Sequence, residues 1–294
     1  MDFAEITIDD KALFDRHLEF YNPQVSELTF TNMYMWRGCH KFRYTEINNM
    51  LFVISVSTDS PAYAMMPIGD VSGERFIEAV SMLKEFFNKK GWILEFKRIT
   101  ENELTYFTNM PYTEIKLDRD NCDYLYLTDA LVHLKGKKYD GKRNHINRFK
   151  RQYEYEYIVL DREHVCECRR IIDEWHADRE CHSSDRCEKY ASMELLSNYE
   201  RLGCKGAMLK VNGSFEAFTV GEMLSSDTAV IHMEKANNRI NGLYAMINQQ
   251  FCEREWSRTR YVNREQDLGL EGLRKAKLSY NPVMLVNKYS IIVK

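Results

Sequence analysis

Asn263, Arg264, Glu265, Gln266 and Asp267 follow one another without a break, and apolar stretches frame them on both sides between Arg260 and Tyr289. Side chains of these types, gathered beside a core, must find partners or a ligand. Aminolysis of an ester or thioester needs a group that takes a proton from the nucleophile and another that stabilises the developing oxyanion. Glu265 and Asp267, with Glu222 and Glu234 upstream, are candidate proton acceptors or amine binders, and Arg264 is a candidate for the oxyanion. Asn263 stands at the entry to this run as a substrate-binding candidate. The same residues could equally form an ion-paired loop that joins a strand to a helix.

A second concentration of function-bearing side chains lies at mid-chain. Residues 135–151 hold eight Lys or Arg and one acid, Asp140, in a chain whose net charge is −3. On a helix beginning near Asp140, Ile146, Phe149 and Tyr153 face a core and leave Arg143, Asn147, Lys150 and Arg151 outward, where they suit phosphates. A solvated basic helix is the plainer alternative. Near the carboxyl end, Lys275 and Lys277 flank Ala276 and point in different directions on a helix, so only one of them can easily face a ligand, and Lys275 is the substrate-binding candidate. Tyr280 can donate a hydrogen bond from an otherwise apolar turn, or pack with its hydroxyl satisfied.

Two stretches with one grammar must position these groups. Met50–Ser57 and Ala62–Met66 read as strands, Glu74–Lys89 as a helix with Phe76, Val80, Leu83 and Phe87 on one face, and Trp92–Ile99 as a strand after the stop at Gly91. Gly206–Val211 and Phe215–Met223 make a hairpin around Asn212-Gly213. Thr228–Glu234 adds a strand, Gly242–Glu255 a helix, Arg260–Asn263 a strand. Leu270, Leu273, Ala276 and Leu278 then recur near a helical period, and Val283–Val293 closes as a strand. The join between the two stretches falls between Tyr112 and Asp123, near Leu117.

Hairpin, strand, loop, helix, strand resembles the GNAT acyltransferase order. Arg239-Ile240-Asn241-Gly242 resembles the start of the GNAT pyrophosphate loop, which makes Arg239 and Gly242 substrate-binding candidates and the amides near Asn241–Gly242 oxyanion candidates; Tyr244 stands where a small residue is expected and would crowd those amides. Three segments together, Gly141–Phe149, Glu234–Phe251 and Tyr261–Pro282, resemble the C-terminal domain family of phosphatidylglycerol lysyltransferases, including its stand-alone bacterial members. The resemblance implies an α+β fold of two tandem GNAT-like domains, here 1–117 as scaffold and 118–294 with the site. Each would be a mixed, mostly antiparallel sheet flanked by helices, similar to the Fem-type aminoacyltransferases. It also implies aminoacyl-tRNA as donor, reached through the basic helix and its Lys142, Arg143, Asn144 and Arg148. Acyl-coenzyme A is the alternative donor, no other cofactor is required, and the acceptor, a small molecule or a lipid, stays open. A binding protein that keeps the cleft without turnover is a further alternative.

Composition bounds the rest. Hydrophobic content of 44 % and charged content of 29 % are ordinary for a folded chain. A pI near 6.3 argues against broad polyanion binding and leaves only local contacts to nucleic acid. No run approaches a membrane span and the acidic start is unlike a secretory signal, so a cytoplasmic protein with reduced thiols is expected. His164, Cys166, Cys168, His176, Cys181, His182 and Cys187 cluster in sequence without zinc spacing. Val165, Cys168, Ile172 and Trp175 form an apolar stripe instead, so no metal site is expected.

Overall fold

Phe76, Val80, Leu83 and Phe87 are all buried along one face of the helix Gly73–Lys89, as their spacing predicts. The computed structural model describes residues 1–71, 73–108, 110–177 and 183–294; Cys181 and His182 lie outside the described residues. Two compact units emerge, Met1–Asp123 with Gln266–Gly269 and Val286–Lys294, and Tyr124–Glu265 with Leu270–Leu285.

The first stretch of chain contributes β1 (Ala4–Glu5), α1 (Lys11–Tyr21), α2 (Phe30–His40), β2 (Phe42–Ile47), β3 (Met50–Ser55), β4 (Tyr63–Met65), β5 (Ile68–Gly69), α3 (Gly73–Lys89), β6 (Glu95–Thr100) and β7 (Tyr112–Leu117). The second contributes β8 (Asp123–Leu127), α4 (Thr128–His133), α5 (Asp140–Gln152), β9 (Tyr155–Val159), α6 (Val165–Ala177), α7 (Ser183–Ser197), α8 (Tyr199–Leu202), β10 (Lys205–Val211), β11 (Ser214–Met223), β12 (Thr228–Ala236), α9 (Leu243–Glu255), β13 (Tyr261–Asn263), α10 (Glu271–Leu278) and β14 (Met284–Val286). A last strand, β15 (Lys288–Val293), returns to the first unit.

In the first unit the sheet runs β1-β2-β3-β4-β6-β15-β7, with β5 beside β3, and only its β4–β6 neighbours are parallel among the described pairings. Met50, Phe52 and Ile54 of β3 pack with the buried face of α3 to form its core. Lys288 is fully buried in this unit, where it meets Asp123 at 2.6 Å and Glu27.

The second sheet runs β14-β8-β13-β12-β11-β10-β9. Asn212 and Gly213 both take positive φ in the β10–β11 turn, the geometry that lets a two-residue hairpin follow the strand twist. Two features shape the ground on which the site stands. Between Val220 and Gly221 the β11–β12 register slips, Val220 facing Met233 and Gly221 facing Ile231, so His232 is an additional, bulged residue. A side chain at Gly221 would put its Cβ 2.4 Å from the Val230 carbonyl oxygen, so the bulge needs glycine there. Beyond it, β12 and β13 pair in parallel only from Thr228–Tyr261 to Val230–Asn263, after which β12 runs on to Ala236 without β13, paired with β11 alone. The two strands therefore part at the carboxyl end of β13, the place where open sheets hold ligands. Behind them α9 packs Leu243, Met246 and Ile247 against Ile146 and Phe149 of α5.

Two expectations are corrected. Val283–Val293 is two strands, β14 in the second sheet and β15 in the first. α10 buries no residue, and Leu273 and Leu278 are exposed. Its inward position is taken by a long polar side chain, for Lys277 Nζ donates to the backbone carbonyls of Arg264 and Glu265. Leucine spacing alone could not reveal that a lysine serves the inner side.

Candidate functional site

Arg264 and Glu265 leave the end of β13 and reach across the gap to β12. Arg264 Nη2 donates to Glu234 Oε1 at 2.9 Å, and Glu265 Oε1 lies 3.0 Å from His232 Nδ1. His232 Nε2 lies 2.8 Å from Glu222 Oε1 on β11. The bulge at His232 shifts the side-chain alternation of β12, and Glu234 meets α9 through Asn248 Nδ2, which donates to Glu234 Oε2 at 3.1 Å. Arg264 Nη1 and Asn248 Oδ1 are buried with no hydrogen-bond partner among the described residues. A donor and an acceptor left over on either side of one carboxylate are what a polar ligand would satisfy.

The basic helix arrives at the same place. Lys142 Nζ sits 3.8 Å from the Tyr280 ring centroid, and Arg264 Cζ sits 4.7 Å from that centroid. Burial, with the Arg264 charge adding to it, brings the Lys142 ammonium down to about 8. Burial pushes the Tyr280 hydroxyl up to about 12 against the pull of Arg264. Arg264 itself rises although burial opposes its charge, because Glu234 together with Tyr280, Tyr126 and Cys252 outweighs the burial. Beside this stack, Lys138, Gly141, Lys142, His145, Ser279 and Asn281 line an open cleft of about 440 Å³, cationic on the α5 side.

The other sequence candidates stand elsewhere. Asp267 is buried in the first unit, 3.2 Å from Arg119 Nη1 and accepting from the Gly269 amide at 2.9 Å. Asn263 is buried and its Oδ1 accepts from the Glu265 amide at 2.7 Å, shaping the loop. Arg143 turns back to Asp140 and to the Leu134 and Gly136 carbonyls, so it closes the start of α5 rather than facing outward. Asn144 is exposed, and so is Arg148, whose Nε donates to Gln152. Lys275 is exposed, and Lys277 is the lysine that touches the site loop. Arg239 lies at the second, smaller cleft of about 170 Å³ beside Trp175 and Glu216.

Gly242 caps α9 at φ 87°, and a Cβ there would lie 2.5 Å from the His145 carbonyl oxygen. The glycine is thus required by the close approach of α5 to the amino end of α9. Sequence reading missed His232 and Asn248. A glycine inside a strand, Gly221, was the available sign of a bulge that re-aims a neighbouring residue.

A conserved protein of unknown function from Bacteroides thetaiotaomicron is 34 % identical to this chain, each chain covered fully, at a TM-score of 0.93. L-PGS from Bacillus licheniformis is 18 % identical over 97 % of this chain and 92 % of that one, at 0.68. FemX is 8 % identical over 100 % and 98 %, at 0.62. The last two share the fold, which is the tandem GNAT-like one with two mixed, mostly antiparallel sheets flanked by helices. An uncharacterized protein of Mycoplasmoides gallisepticum is 24 % identical over 179 residues, and the match spans 60 % of this chain and 58 % of the length of that curated relative. Among the described residues no helix is long and apolar enough to cross a membrane. The family model of the phosphatidylglycerol lysyltransferase C-terminal domain matches residues 18–292, and the chain belongs to that family.

Proposed function

We propose that the chain is an acyltransferase that moves an aminoacyl group from aminoacyl-tRNA to an amine or hydroxyl acceptor. The supporting observation is the Lys142–Tyr280–Arg264 stack, which joins the basic helix to the loop after β13 within one unit. Phosphates of the donor would lie along α5 and the cleft of Lys138, Lys142 and His145. The ester carbonyl would face Arg264, whose spare Nη1 is a donor ready for the oxyanion. Glu265 would hold the ammonium group of the donor. The acceptor's nitrogen or oxygen forms the new bond to the carbonyl carbon, the ester C–O bond to the ribose breaks, and the acceptor's proton ends on the departing ribose oxygen.

Acyl-coenzyme A as donor is favoured by Arg239–Gly242 and disfavoured by the packing of α5 on Gly242, which occupies the approach that a pyrophosphate would use. The test is a transfer assay with a panel of charged tRNAs, offered small amines and phosphatidylglycerol vesicles as acceptors. Label passing from tRNA to an acceptor is expected, and it should vanish in folded Arg264→Ala. Micromolar binding of acetyl-coenzyme A by calorimetry, with no transfer from any charged tRNA, would replace this reading.

A further inference from the structure

We propose that His232 is a positioning residue, an imidazolium clamped between Glu222 and Glu265 that fixes the Glu265 carboxylate to receive the ammonium group of the acyl donor. The inference rests on the aminoacyl-transfer reading for its substrate and on geometry for the clamp. His232 is the additional residue of the β12 bulge, and its side chain is fully buried. Its Nε2 meets Glu222 at 2.8 Å and its Nδ1 meets Glu265 at 3.0 Å. A neutral imidazole donates from one nitrogen only, whereas an ionised carboxylate can only accept; both contacts are hydrogen bonds only when both nitrogens carry protons. Burial works against that charge, and the two carboxylates overcome it and bring His232 up to about 9.

The receiving end is equally constrained. Glu265 has φ 55°, a left-handed conformation that a glutamate adopts at a cost. Asn263 Oδ1 accepts from its amide at 2.7 Å, Lys277 donates to its carbonyl at 3.0 Å, and His232 holds its carboxylate. One imidazolium between two carboxylates leaves a single net negative charge where β12 and β13 part. The neighbouring Arg264–Glu234 pair sums to zero. With the Lys277 ammonium held by the Arg264 and Glu265 backbone carbonyls, it is the clamped Glu265 carboxylate itself, and not an overall charge excess, that would meet an ammonium group.

The test compares charged tRNA with the same tRNA carrying an N-acetylated aminoacyl group, which has no ammonium. In His232→Gln, KM for the free-amino donor should rise at least about tenfold with kcat little changed, and preference over the N-acetylated donor should fall by the same factor. Glu222→Gln should move the same ratio in the same direction, and it serves if His232→Gln does not fold. An unchanged preference in a folded variant overturns the proposal. Ring ¹⁵N spectra of labelled histidine give a readout apart from activity: both His232 nitrogens should be protonated at pH 7.5, and a neutral tautomer there overturns the clamp. If neither donor is used by the wild-type protein, the transfer reading fails, while the spectra still decide the state of His232.

Discussion

Lys142 Nζ stands 3.8 Å from the centre of the Tyr280 ring, so residues far apart in sequence form one cationic-aromatic contact at the edge of a cleft. The contact explains why a lysine from the basic run is partly desolvated while Lys150 and Arg151 remain in solvent.

Lys142 sets a pH window. Between about pH 8 and the ordinary lysine value of 10.5, the unfolded chain keeps a proton that the folded chain has shed, so its contribution to stability rises with pH across that range. Lys142→Met should flatten this rise relative to wild type in urea unfolding at pH 7.5, 9 and 10. Parallel curves for the two proteins would contradict it.

His232 has the opposite sign. Its folded value is raised from 6.5 to about 9, so its stabilising contribution is complete below pH 6.5 and is lost as pH rises through about 9. Unfolding measured at pH 6, 7.5 and 9 should show a decline in wild type that His232→Gln lacks.

Arg264 and Glu234 are nearly buried, and each compensates the other's charge. Glu234→Gln should cost about 3 kcal/mol of stability, because it leaves a buried guanidinium uncompensated. Adding Arg264→Gln should cost less than the two single changes together, and additive losses in the double-mutant cycle would show that the pair is not coupled.

Gly242→Ala should destabilise by about 2 kcal/mol or more, since it meets both a positive φ and the His145 carbonyl. Hydrogen exchange should quicken in α5 and at the start of α9 before it does elsewhere. A melting temperature within a degree or so of wild type would rule out the close approach of α5.

The exposed side of α5 should govern nucleic-acid affinity. Lys150→Glu and Arg151→Glu should weaken tRNA binding about uniformly across tRNA species and lower the salt slope by about one per charge lost, with stability unchanged. Titrations at several salt concentrations check this.

Several of these elements were legible in the residues. The Phe76–Phe87 periodicity marked α3, Asn212-Gly213 marked the hairpin, and Arg264 with Glu234 marked the polar loop and its partner strand. What was hidden depended on pairing rather than pattern. A bulge exists only as a mismatch between two strands, so nothing within Thr228–Glu234 itself singles out His232. Lys288 carries no local sign of burial, because its partners, Asp123 and Glu27, are far away in sequence. The break between β14 and β15 falls inside one continuous β-forming stretch, where the change of sheet has no local sign.

β15 lies between β6 and β7 in its sheet, although both neighbours are translated well before it. On the ribosome, β6 and β7 must wait with bare backbone edges while the whole second unit is synthesised, and such edges invite wrong pairing. The first sheet therefore stays open between β6 and β7 until residues 288–293 are available to pair with both.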